Sequence, residues 1–437
     1  MAGIHLHHHD LLHEGPDAIR PRLARIDDVT QLFVQVNDIF ERNPSPIGTL
    51  ERNPVADVIL GEGLVYADVD VAGLSPELHQ QSRTDAADDP LAIVRASTLG
   101  DDYEIVPWLN ITNGAWTGDI AGNGVVDYRG RPVDRWLCPN GPLVAPMWGR
   151  VIVALVERYG YRRFLIDRIR YPDWGGEQVR PANLLSCFCD RCLTLMAEQG
   201  IDGEALRAEL TMIAGLMKAG EFEAARERFV AEPLVRGWLR FRQRSVAAMV
   251  DAIGRLVRER EPDVELWLDL WPPAYSWILG QDYGMLTALS PRLKHFPYHR
   301  LGGGADVQSL IDHFGHDDEA RERAFAAFTR LFGLDYGQTY AEFRADGFPI
   351  RLVEDQNRRA RDESRPGTYV YSGVQMWNLP PDELHRAAVA TYASAADDVI
   401  YYCYGWAATD LFGASNGARA TARPTGSAGS TRTSGAG

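Results

Sequence analysis

Phe164-Leu165-Ile166-Asp167-Arg168-Ile169-Arg170-Tyr171-Pro172 decides how this chain is read. An apolar run ends on a carboxylate, two arginines follow, and Pro172 stops the ladder because it has no N–H to donate. The two-residue period of a strand puts Leu165, Asp167 and Ile169 on one face and Arg168 and Arg170 on the other. Where the chain leaves the sheet an arginine can still reach the carboxylate. Such a pairing keeps Asp167 ionised, as a nucleophile or base requires, and the alternative is a structural Asp–Arg lock on the loop.

Seven more runs read as strands: Ile4–His9, Leu64–Val69, Glu104–Ile111, Val264–Trp271, Leu293–Tyr298, Thr368–Met376 and Val399–Tyr404, with Arg163–Ile169 as the fourth in order. Helical patterns such as Val144–Tyr159, Trp238–Arg260 and Pro381–Ala395 lie between them. Strands alternating with helices imply parallel βαβ units. Eight such strands, with no dinucleotide fingerprint after the first, predict an α/β fold, a closed (β/α)8 TIM barrel over residues 1–412, and no organic cofactor. A charged helical excursion, 193–262, separates the fourth and fifth strands, and 413–437, rich in Gly, Ala, Ser and Thr, is expected to be disordered.

The strand ends are polar and aromatic: His7, His9, Asn110, Asp167, Asp269, Trp271, Tyr298, Gln375, Trp377 and Tyr404. Polar residues collected at the C-terminal ends of barrel strands form an active-site rim. In the fifth strand, Trp267, Asp269 and Trp271 share a face, so a carboxylate lies beside an indole. Apolar surroundings raise such a carboxyl towards the range of a general acid. Asp167 and Asp269 are therefore the candidate carboxylate pair of glycoside hydrolysis. Asp282 is a reserve acid, and Glu14 a more distant one.

Cys187-x-Cys189-x-x-Cys192 supplies three thiolates in one turn, and Cys138 is the candidate fourth ligand of a closed, structural zinc site. Cys403 falls within the last strand and reads as core. The His7-x-His9 spacing at the end of the first strand also suits a metal-dependent amidohydrolase, for which Asp167 and His299 are available. The fifth strand offers no histidine, and Tyr404 or Gly405 stands where an aspartate is needed.

Leu137-Cys138-Pro139-Asn140-Gly141-Pro142 followed by Cys187-Phe188-Cys189-Asp190-Arg191-Cys192 resembles the zinc-binding cysteines of glycoside hydrolase family 42 β-galactosidases. Those enzymes place an Asn-Glu pair after the fourth strand and a glutamate on the seventh, where this chain has Ile166-Asp167-Arg168 and Gln375. Ile166-Asp167-Arg168-Ile169-Arg170-Tyr171-Pro172 is similar to the Asp-x-Ile-Arg-Tyr-Pro stretch of the hypothetical glycoside-hydrolase-like barrel families, which Ile4–Glu14 and Gly373–Trp377 also fit. The resemblance implies a sugar-active barrel with an aspartate on strand four, without implying β-galactosidase activity.

The expectation is a retaining glycosidase acting on an oligosaccharide or glycoside. Asp167 is its nucleophile, Asp269 its acid, and Arg170, His7, His9, Asn110, Tyr298 and Gln375 hold hydroxyls beside Trp271 and Trp377 as stacking surfaces. A carbohydrate-binding barrel without catalysis is the alternative from another class. The net charge of −15 argues against nucleic acid or an anionic membrane as partner, and homo-oligomers stay open. No signal peptide or membrane span is legible, so a cytoplasmic protein is expected.

Overall fold

Alternating side chains sort each barrel strand into an outward apolar row and an inward row of a different character. In β1 (Ala2–Leu6) Ala2, Ile4 and Leu6 point to the helices, and in β2 (Val29–Gln35) Leu32 and Val34 do. β3 (Glu104–Asn110), β4 (Arg163–Asp167) and β5 (Glu265–Leu270) repeat the pattern with Ile105 and Leu109, Phe164 and Ile166, and Leu266, Leu268 and Leu270. β6 (Arg292–His295), β7 (Tyr369–Gln375) and β8 (Asp398–Tyr402) complete it. Each such buried aliphatic side chain contributes about 1.5–3 kcal/mol relative to exposure.

In this computed structural model, which describes residues 2–39, 41–42, 50–51, 59–83, 88–175, 179–300 and 307–422, the eight strands close a parallel barrel in sequence order. β1 closes on β8 through Gly3↔Ile400 and Ile4↔Tyr401. The interior is aromatic and polar rather than aliphatic: Phe33, Trp108, Leu165, Trp267, Tyr371 and Tyr402 fill it together with His5. Gly3 permits this filling, because a Cβ there would stand 2.4 Å from the Phe33 ring. At the N-terminal end Gln31 donates to Glu104 (2.7 Å) and accepts from the Tyr371 hydroxyl (3.1 Å), so the polar floor is satisfied internally.

The second strand corrects the sequence reading. β2 is Val29–Gln35, not Leu64–Val69, which runs as a loop anchored by isolated bridges from Val65 to Asn37 and Ser82. The polar interior explains the error: Gln31 and Gln35 are inward residues of a strand that does not look buried from its sequence.

Between β4 and β5 the chain forms helices Asp190–Glu198, Gly203–Lys218, Phe222–Ala231 and Pro233–Arg258. The last packs along Val144–Tyr159, and Gly149 permits that approach, since a Cβ would meet Leu256 Cβ at 2.8 Å. The tail is also corrected. Residues 413–422 are ordered, with a helix at Ala418–Ala422 against Pro381–Ala393, and 423–437 lie outside the described residues.

Candidate active site

Register places the two candidate carboxylates. Ile166 pairs with Leu268, so the next residues, Asp167 at the end of β4 and Asp269 one residue before the end of β5, stand side by side, and Asp269 itself pairs with Lys294 of β6. Three adjacent strands thus deliver carboxylate, carboxylate and ammonium to one level at the C-terminal end of the barrel.

Asp167 is half-buried; its Oδ2 accepts from Trp108 Nε1 (3.2 Å) and its Oδ1 from the backbone N–H of Arg168 (2.5 Å). Arg168 holds φ 54°, a left-handed conformation uncommon for a side chain of its size, at the point where the chain turns out of the sheet. Asp269 is buried, with Lys294 Nζ donating to its Oδ2 at 2.8 Å. Desolvation pushes the Asp269 carboxyl up to about 8, the Asp167 charge adds to the rise, and Lys294 opposes it. One carboxyl is thereby held protonated near neutrality, one strand away from another.

Around this pair the mouth is aromatic. Tyr298 stacks on Tyr402 (centroids 5.6 Å) and meets Trp377 edge-on (5.1 Å), while Trp406 lies between Trp377 (5.2 Å) and His7 (5.5 Å). His7 also reaches the Trp108 ring at 5.5 Å and stacks on His9 at 5.0 Å. Of the residues singled out from sequence, His7, His9, Asp167, Asp269, Tyr298 and Trp377 therefore gather at this end.

The others do not. Arg170 is buried between the Trp136 and Trp271 rings (4.9 and 5.0 Å) and pairs with Asp173 at 2.8 Å, so it clamps the loop. Trp271 offers no open face, since Arg170, Trp174, Tyr275 and Phe296 surround it. Asn110 forms a reciprocal amide clamp with Asn37, its Nδ2 donating to the Asn37 carbonyl and its N–H to Asn37 Oδ1 (2.7 and 2.9 Å), while its own Oδ1 is buried without a hydrogen bond. Gln375 braces two loops, accepting from the Arg300 N–H (3.0 Å) and donating to the Trp377 carbonyl (2.9 Å). Asp282 caps the helix Tyr283–Leu286 through Met285 N–H, and Glu14 is tied to Arg22 and the Tyr404 hydroxyl. His299 pairs with Glu383 at 2.9 Å, so the amidohydrolase constellation is not assembled among the described residues.

Sequence reasoning missed Lys294, Trp108, Tyr402 and Trp406. Lys294 left a signal, a lone cation in the run Leu293-Lys294-His295-Phe296 at an inward position.

The four cysteines do meet, with their sulfurs within 4.8 Å of one another. Cys138 and Cys192 sulfurs are 3.4 Å apart, and Cys189 and Cys138 sulfurs 3.9 Å. Thiolates at about 2.3 Å from a tetrahedral zinc are about 3.8 Å apart, so the set fits such an ion. Asn140 N–H and Nδ2 and Val126 N–H donate to these sulfurs, as the surroundings of a thiolate site require. The cluster ties the loop after β3 to the loop after β4, directly behind Tyr171.

No model of a known protein family matches the chain, and no curated protein matches it by sequence. Solved structures do. The glycoside hydrolase domain of PgaB (BpsB) from Bordetella bronchiseptica superposes with a TM-score of 0.52 at 12% identity, over 96% of this chain and 97% of that one. The β-galactosidase of the psychrophilic Marinomonas ef1 gives 0.51 at 9% identity, over 96% of this chain and 59% of that one. The likeness is one of fold. The shared fold is a closed (β/α)8 TIM barrel. Among the described residues no helix is long and apolar enough to cross a membrane.

Proposed function

We propose that the protein is a glycoside hydrolase working through Asp167 and Asp269. The observation that carries this reading is the Asp269 carboxyl, pushed up to about 8, beside the half-buried Asp167 of the neighbouring strand. Glycosidic cleavage needs one carboxyl that still holds a proton and one that can act as a carboxylate. Asp269 gives its proton to the leaving oxygen, and Asp167, oriented by Trp108 Nε1, attacks the anomeric carbon. Neighbouring barrel strands are about 4.8 Å apart, which suits the shorter carboxyl separation of about 5–5.5 Å used by retaining enzymes.

Tyr298 and Trp377 supply aromatic surface for the C–H faces of a sugar. The cysteine cluster holds a structural zinc that fixes the loop leaving β4; with four thiolates it leaves no open position for water. A cytoplasmic setting, which keeps cysteines reduced, would suit such a thiolate site.

A panel of aryl-glycosides tests the reading, with the anomeric configuration of the first product followed by NMR. Turnover with retention, abolished in Asp167→Asn, supports it. Saccharide binding with no turnover of any member of the panel would make the protein a binder instead.

A further inference from the structure

β1 stops at Leu6, and the next four residues, His7-His8-His9-Asp10, make the turn into a helix spanning His8–His13. His7 stands just before the first helical residue with extended backbone (φ −73°, ψ 155°), so the side chains of His7, His9 and Asp10 converge on one side of that first turn. Their ligand atoms all lie within 4.8 Å of one another. The Asp10 carboxylate is fixed: its Oδ2 accepts the His7 N–H at 2.7 Å, and its Oδ1 lies 3.5 Å from His9 Nε2.

That last distance is long for a hydrogen bond but close to the separation of two ligands of one ion. Donors at about 2.0–2.1 Å from a tetrahedral zinc stand about 3.3 Å apart. His7 Nδ1 and His9 Nε2 are buried with no hydrogen-bond partner, an arrangement that is costly without a ligand. The capping box of this turn brings the Asp10 backbone up to the His7 ring, but it leaves His7 Nδ1 without a hydrogen bond and gives His9 no role. His7 Nε2, meanwhile, faces the Tyr402 hydroxyl at 3.5 Å, leaving Nδ1 for the ion, the kind of outer contact that orients a metal-bound histidine.

We infer that His7, His9 and Asp10 hold a divalent first-row cation, zinc-like in its preference, at the C-terminal mouth of the barrel, separate from the four-cysteine cluster. Two imidazoles and one carboxylate leave coordination positions for water or a substrate oxygen, unlike a closed thiolate site. The ion would lie beside Trp108, Tyr402 and Trp406, and of these Trp108 also donates its Nε1–H to Asp167. The inference stands whether or not the protein proves to be a glycosidase.

Cobalt(II) distinguishes the two sites in the full-length protein, because thiolate ligands give it intense near-ultraviolet charge-transfer absorption and nitrogen–oxygen ligands give only weaker visible bands. Metal-stripped protein titrated with Co2+ should bind two equivalents, one with and one without the thiolate signature. His9→Gln and Asp10→Asn should each lose the second and keep the first, with melting curves recording that the fold survives. A wild-type titration that ends at one equivalent with only thiolate character overturns the inference, and this reading does not depend on either variant folding. So does a second equivalent that both folded variants retain.

Discussion

Lys294 Nζ donates to Asp269 Oδ2 at 2.8 Å with both side chains buried, yet the carboxyl stays raised from 3.8 to about 8. Burial outweighs the ion pair, as it does when a charge is desolvated faster than its partner compensates. The pH consequence has a definite sign. Activity that needs the protonated acid is present below about pH 8 and falls as pH rises through that value. Folding stability follows the same group: the folded state keeps a proton that the unfolded chain releases near pH 4. Its contribution is complete below that pH and is lost as pH rises towards about 8. Asp269→Asn should remove the alkaline limb of the rate profile and flatten the pH dependence of melting. Turnover of glycosides with poor leaving groups should fall by about 10²–10⁴-fold, and of activated aryl-glycosides far less.

Lys294→Met tests the same pair from the other side. Lys294 is the group that holds the Asp269 carboxyl down, so its removal should move the alkaline limb of kcat/KM upward. A limb that does not move would separate Asp269 from the pH dependence of the reaction.

Asp167→Asn keeps shape and hydrogen bonding but removes the charge. Turnover should drop by at least about 10³-fold with melting temperature nearly unchanged, because Asp167 is only half-buried. Trp108→Phe removes the indole N–H that Asp167 Oδ2 accepts. A hydrogen bond to a charged group contributes about 1.5–3 kcal/mol, so kcat should fall by roughly 10- to 100-fold. Steady-state kinetics with folding monitored in parallel checks both.

The cysteine cluster should carry about one structural zinc per chain. Strong chelation, or Cys138→Ser, should lower the melting temperature, with activity falling only as the protein unfolds, since the cluster braces loops and touches neither carboxylate. Elemental analysis with melting curves before and after chelation decides this.

Strands with an apolar stripe on each outward face were legible in the sequence, as was the carboxylate at the end of β4. β2 was not, because Gln31 and Gln35 point into a polar interior and Leu64–Val69 imitates the expected apolar strand better. Asp167 and Asp269 could be placed because strand period and neighbouring register suffice to bring them together. Arg170, Trp271 and Asn110 have partners, Asp173 with Trp136, Tyr275, and Asn37, that the strand patterns do not supply. Lys294 escaped because its role depends on a neighbour one strand away.

The helix at Ala418–Ala422 gives the last prediction. The Gly-, Ala-, Ser- and Thr-rich composition of 413–437 predicts disorder, but Arg419 in the Ala418–Ala422 helix pairs with the buried Asp398 of β8. The same guanidinium lies 4.7 Å from the Tyr392 ring, and Asp398 also accepts from the Tyr369 hydroxyl at 2.9 Å. Removing Arg419 strips a cation from a carboxylate that is almost wholly enclosed. Breaking a fully buried pair costs about 3–5 kcal/mol; Arg419 is a third exposed, so solvent screening brings the expectation for Arg419→Ala to roughly 1–3 kcal/mol. Truncation after Ser415 should destabilise at least as much, because it also uncovers the Pro381–Ala393 helix, whereas truncation after Ala422 keeps both contacts. Melting temperatures of the two truncations and of Arg419→Ala provide the check. Equal stability of all three with the full chain would show that this helix contributes nothing to the fold.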